Sequence, residues 1–212
     1  MVERQNRKSS ISLFICRIIS ILAGFLFFST PAFSGNQRYE ALSDSVRTAL
    51  SASISDRSPV SSSFDSFDNA AHRAQWLSEM ALRLEKRMPD LSSRLEFLKT
   101  VHYEATRAGL DPELVLGLIQ VESGFRKYAV SVAGARGYMQ VMPFWIDVIG
   151  GENDNLFHLR TNLRYGCVIL RHYLDIEKGN LFRALGRYNG SLGRAEYPNA
   201  VFAAWQQWTF NP

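Results

Sequence analysis

The sequence predicts a mainly α-helical chain with at most a small β piece. Three observations carry this. Apolar residues recur at helical spacing over most of 74–208, residues that start and stop helices bracket those stretches, and strand-like alternation is nearly absent outside Ala129 to Val141. With 212 residues, 46% apolar and 21% charged, the chain is ordinary globular material, long enough for one core and additional segments.

The elements follow in order. Residues 1–34 read as a signal peptide: Arg4, Arg7, Lys8 and Arg17 precede the apolar run Ile18 to Phe28, and Ala32 and Ser34 provide the small residues of a cleavage site after Ser34. An uncleaved membrane anchor is the alternative, but the apolar run has 11 residues, against about 20 for a spanning helix. Removing the segment leaves 20 Lys/Arg against 19 Asp/Glu, a net of +1, so the basic balance gives no ground for nucleic-acid binding. Cys16 leaves with it, and the remaining Cys167 reads as a small buried hydrophobe.

Residues 35–73 read as a Ser-rich linker, largely disordered. Ten of the 24 residues from Ser43 to Ser66 are serine, and so polar a segment buries too little surface to offset its ordering entropy. A short helix over Ala41 to Leu50 is compatible with it. Residues 74–90 form an accessory helix, Ala74 to Met88, ended by Pro89. The main domain, 91–212, opens with a helix whose apolar positions are Leu95, Leu98, Val101 and Ala105 and whose C-cap is Gly109. Asp111-Pro112-Glu113 then supplies an N-cap, a proline at the first helical position and an acid in the first turn of a helix ending at Glu122. Further helices run from Asn162 to Glu177, Leu181 to Tyr188 and Pro198 to Trp208.

Glu122 is the residue that raises a chemical question. Residues 114–121 are apolar on most sides, as a buried helix is, and Leu118 and Ile119 lie one turn behind Glu122. A carboxyl over such an apolar floor has a raised pKa and can donate a proton near neutral pH. A helix-terminal Glu exposed to water, or paired with Arg126, fits the same residues equally well.

Four words surround it: Glu-Ser at 122–123, Ala-Val-Ser at 129–131, GARGYMQVMP at 134–143 and ALGRYNGS at 184–191. In order and spacing they resemble the soluble lytic transglycosylases and their goose-type lysozyme relatives, from about Leu91 to Trp208. The resemblance implies a lysozyme-like helical domain acting on the β-1,4 bond between N-acetylmuramic acid and N-acetylglucosamine of peptidoglycan. It makes Glu122 the catalytic acid/base and Ser123, Met139, Gln140, Tyr188 and Asn189 substrate-binding residues, with Tyr188 and Asn189 facing the acid. Two departures stand out. Tyr138 replaces the leucine of the Gly-Leu-Met-Gln word, as core filler or a sugar-stacking surface. Gly190-Ser191 replaces Ala-Gly after Tyr-Asn, and Gly190 could supply the turn one residue early.

None of the four words contains a second acid of the kind that ordinary glycosidases use. In the family's mechanism Glu122 protonates the leaving oxygen and then deprotonates the muramic acid 6-hydroxyl, which closes a 1,6-anhydro ring. Asp147, Glu152 and Asp154, read as loop-capping residues, keep a water-using muramidase open as an alternative, and a non-catalytic wall-binding module is another. Trp145, Trp205 and Trp208 read as core or as groove lining. His72, His102, His158 and His172 show no ligand spacing, so no metal or cofactor is expected. The expected partner is the peptidoglycan glycan strand, with envelope machinery as a further one, and the chain is expected to act as a periplasmic, optionally membrane-associated, monomer.

Overall fold

The computed structural model describes residues 37–56 and 70–211. Its centre is the apolar helix predicted between Asp111 and Glu122. Helix α4, Pro112–Ser123, starts as expected, with the Asp111 carboxylate accepting from the backbone N–H groups of Glu113 and Leu114. It buries Leu114, Val115, Leu116, Leu118 and Ile119. It ends because Gly124 and Phe125 both turn left-handed, at φ 57° and 66°. Phe125 then packs edge-on against Phe97 and Trp208, which fixes the direction in which the chain leaves the helix.

Helices α3 (Leu91–Arg107) and α8 (Glu196–Trp208) pack on α4, α2 (Ala70–Leu84) and α6 (Leu159–Ile176) pack on α3, and α7 (Leu181–Asn189) packs on α6 and α8. Helix α8 lies directly against α4 at Gly117. A Cβ there would come within 2.6 Å of the Trp205 backbone nitrogen, so the two backbones approach each other only because the residue is glycine. The mainly helical architecture expected from sequence is present. The small β piece amounts to two isolated antiparallel bridges, Val130 with Arg136 and Arg136 with Val141, and no strand occurs among the described residues.

The structure departs from the sequence reading in four places. A short helix α5, Phe144–Ile149, follows the 134–143 word; it has six residues and no side-chain cap, hence no sequence signature. Helix α2 begins at Ala70 rather than Ala74, and Trp76, Met80 and Leu84 are buried in the common core rather than on an accessory element. Helices α6 and α8 begin early, three residues before Asn162 and two before Pro198.

The fourth departure lies in the stretch read as largely disordered linker, where the short helix allowed over Ala41 to Leu50 is present but runs Asp44–Ser55 as helix α1, capped by Ser43. Ser45 and Ser55 are exposed and Ser51 and Ser53 half-buried, while Ile54 is buried in the core and Leu42 and Leu50 pack against it. Its C-terminal carbonyls are held by arginines of the main domain. Arg107 donates to the Ser53 carbonyl, and Arg164 to those of Ile54 and Asp56. Those arginines converge with Arg160 on Glu104, which is buried between α3 and α6. The predicted signal peptide, 1–34, and linker residues 57–69 lie outside the described residues.

Candidate active site

Glu122 occupies the last turn of α4 and is 6% exposed. Leu118 and Ile119, one turn back, are fully buried, so the carboxyl stands on the apolar floor that the spacing predicts. Burial raises its pKa to about 8, opposed by a hydrogen bond from Tyr197. The Tyr197 hydroxyl donates to Oε1 at 2.5 Å, while Oε2 is buried and has no hydrogen-bond partner. Near neutral pH the carboxyl is therefore protonated. With Oε1 accepting from Tyr197, Oε2 is the oxygen left to carry the proton. Arg126 does not neutralise the acid; its Nε donates to the Ser123 carbonyl at 2.8 Å.

No second carboxylate contributes to the shift at Glu122. Asp147 and Glu152 are exposed. Asp154 accepts from the Gly151 backbone N–H and from the Tyr165 hydroxyl, the loop-capping work expected of it.

The family words build the walls. Tyr188 is fully buried at the end of α7, and its hydroxyl donates to the Met139 carbonyl at 2.7 Å. The hydroxyl is thus bonded to the loop and not to Glu122, the residue that the resemblance has it facing. Burial first and Glu122 second raise the Tyr188 pKa well above the ordinary range, with the Gln37 amide acting in the opposite sense. Tyr188 is therefore within electrostatic reach of the acid while its hydroxyl braces the 137–141 loop.

Met139 is fully buried, its backbone N–H bound to the Asn162 side chain and its sulfur seated against Gly166, where a Cβ would lie 2.3 Å away. Gln140 adopts φ 50°, and its Nε2 donates to the carbonyls of Ala129 and Gly137. The Ser123 hydroxyl donates to Ile119 within its own helix. These three side chains thus shape the loop and helix end from inside. Asn189, 7% exposed, keeps a buried Nδ2 without a partner. Gly190 takes φ 77°, supplying the left-handed residue one position early, as the altered word requires.

Tyr138 is core, 4.9 Å from the Phe97 ring. Trp145 and Trp208 are buried core residues, and Trp205 is partly buried and packs against the core. Burial pushes the Cys167 thiol well above its ordinary pKa.

Sequence reasoning missed two residues here. Tyr197 fell outside a helix read as starting at Pro198, and its partner is 75 residues away. Gln37 fell in the supposed linker, yet it is buried, with Oε1 accepting from the Trp145 indole and the Met142 backbone N–H. No local pattern signals either contact.

Residues 99–208 match the family described as Transglycosylase SLT domain. A transglycosylase of Enterobacteria phage PRD1 is 32% identical over 107 residues, covering 50% of this chain and 39% of the relative. Two proteins called membrane-bound lytic murein transglycosylase C are also similar. That of Haemophilus influenzae is 46% identical over 114 residues (46% of this chain, 32% of the relative). That of Actinobacillus pleuropneumoniae is 50% identical over 48 residues (23% and 13%). A solved lytic transglycosylase Slt from Pseudomonas aeruginosa, an inactive mutant, aligns over 80% of this chain and 34% of its own with a TM-score of 0.41 and 18% identity. The chain thus spans between 13% and 39% of the length of these curated relatives.

Proposed function

The chain belongs to the Transglycosylase SLT domain family, and from this premise we propose that it is a peptidoglycan lytic transglycosylase using Glu122 as acid and then as base. The observation that carries the reading is the state of one carboxyl. Glu122 is buried, protonated near neutral pH, held through Oε1 by Tyr197 and unpartnered at Oε2, with no neighbouring carboxylate acting on it.

The chemistry follows from that arrangement. The Oε2 proton passes to the glycosidic oxygen as the bond to the muramic acid anomeric carbon breaks, releasing the N-acetylglucosamine end as a free hydroxyl. The glutamate left behind is a carboxylate in a site that disfavours charge, and it takes the proton of the muramic acid 6-hydroxyl. That oxygen closes on the anomeric carbon as a 1,6-anhydro ring, and Glu122 regains its starting proton. General acid–base steps of this kind contribute about 10²–10⁴-fold. Tyr197 stays a donor throughout, because burial and the adjacent Glu122 raise its own pKa well above the ordinary range. Asn189 is a substrate-binding residue at the end of α7, and the Met139–Gln140 loop, braced by Tyr188, shapes the cleft wall.

The substrate lies outside the cytoplasm. The reading therefore includes export by residues 1–34, cleavage after Ser34 and work in the periplasm beside the envelope machinery. No helix among the described residues is long and apolar enough to cross a membrane. Digestion of purified sacculi in isotopically labelled water, with mass spectrometry of the products, tests the reaction. Anhydro ends, one water lighter than hydrolysed ends and free of label, are expected; labelled reducing ends would establish a muramidase, and no release of fragments would indicate a binding module.

A further inference from the structure

The altered Tyr-Asn-Gly-Ser turn opens onto a cavity of about 560 Å³, lined by Arg38, Asn189, Ser191 and Arg194 together with Glu40 and Arg187. Two donors at its wall lack partners: Asn189 Nδ2, on a residue 7% exposed, and Ser191 Oγ are both buried without a hydrogen bond. Buried donors without acceptors are costly, and a bound acceptor group removes the cost. The charges point the same way. Arg187 is committed to Glu177 and Glu40, which also neutralises Glu40, leaving Arg38 and Arg194 as uncommitted cations at the rim. Arg38 is carried by the segment that Gln37 pins beneath Trp145 and Met142. That segment lies outside the family match at 99–208.

We propose that the cavity is a carboxylate subsite that receives the peptide stem borne by the muramic acid. The proposal rests on the function given above. Four donors, two of them cationic, call for an anion. In the glycan strand the sugars are uncharged, and the negative charge lies on the stem carboxylates. Asn189 follows Tyr188, whose hydroxyl holds the Met139 carbonyl of the proposed cleft wall, so the cavity continues from that wall. Asn189 and Ser191 donate to the carboxylate oxygens, and Arg38 and Arg194 supply the charge.

Calorimetry with an N-acetylglucosaminyl-N-acetylmuramyl tripeptide, which contains no bond for the enzyme to cut, tests the subsite independently of turnover. The parent should bind the free-carboxylate form about tenfold more tightly than the fully amidated form, in keeping with charge-assisted hydrogen bonds. An Arg38→Gln/Arg194→Gln variant, altered only at exposed side chains and expected to melt with the parent, should bind both forms alike. Equal binding of the two forms by the parent, a preference that survives in the variant, or inorganic phosphate competing as well as the tripeptide would each overturn the proposal. None of these results bears on whether sacculi are cleaved, and failure to cleave sacculi leaves the binding comparison intact.

Discussion

Tyr197 donates its hydroxyl to Oε1 of Glu122 across 2.5 Å, joining the last helix of the chain to the end of its central one. The contact selects between the two carboxylate oxygens. Oε1 is occupied, and Oε2 remains as the buried oxygen able to hold a transferable proton. It also sets a balance, since burial raises the pKa of Glu122 and this hydrogen bond lowers it.

Glu122→Gln removes the proton and keeps the shape. The variant should fold and release no muropeptides from sacculi. Its stability should also respond differently to pH. The folded pKa of about 8 lies above the ordinary 4.5, so between these values the folded chain holds a proton that the unfolded chain has released. The stabilisation is complete below about pH 4.5 and is lost as pH rises towards 8. Melting temperatures of parent and variant measured from pH 5 to 9 should therefore diverge, the parent losing stability relative to the variant. Parallel curves would mean that Glu122 titrates normally.

Removing the hydroxyl in Tyr197→Phe takes away the one interaction that lowers the Glu122 pKa. The alkaline limb of the rate profile, set by loss of the Oε2 proton, should fall near pH 8 in the parent and move to higher pH in the variant. Maximal turnover should drop as well, because a hydrogen bond of about 1–3 kcal/mol corresponds to roughly 5–150-fold. A pH–rate series on solubilised glycan reads both effects, and an unmoved limb would separate Tyr197 from proton control.

Tyr188→Phe should act through the loop instead. The substitution strands the Met139 carbonyl in a buried setting, an unsatisfied acceptor costing about 1–3 kcal/mol. The melting temperature should fall while the alkaline limb of the rate profile stays in place. A shifted limb with unchanged melting would return Tyr188 to the role of orienting the acid.

How far the sequence carried can be judged from particular residues. Asp111, Pro112, Gly124 and Gly190 act through their own backbone neighbourhoods, so their caps and turns were legible, as was Glu122 above Leu118 and Ile119. Contacts across long sequence separations were not. Arg164 reaches the Ile54 carbonyl 110 residues away, and this made a helix of a serine-rich stretch. Gln37 reaches Trp145 across 108 residues. For Tyr188 the resemblance implied a place facing the acid, but sequence order does not say which acceptor its hydroxyl meets, and that acceptor is the Met139 carbonyl.

The closeness of α4 and α8 gives the last prediction, which joins packing to chemistry. Gly117 and Glu122 share α4, and Trp205 and Tyr197 share α8, so the gap at Gly117 governs the reach of the Tyr197 hydroxyl. A methyl at position 117 would meet backbone atoms of Trp205 at 2.6 and 2.7 Å, and backbone cannot swing aside as a side-chain tip can. Gly117→Ala must therefore push the helices apart, at about 1–3 kcal/mol for overpacking, outweighing the gain in helix propensity of at most about 1 kcal/mol. Separation lengthens the Tyr197–Glu122 bond, so the variant should both melt lower and reproduce part of the alkaline shift of Tyr197→Phe. Combining the two substitutions should then add no further shift, since the second acts on a bond already lost. If Gly117→Ala melts with the parent and keeps its rate profile, the helices accommodate the methyl and the glycine does not set the distance between tyrosine and acid.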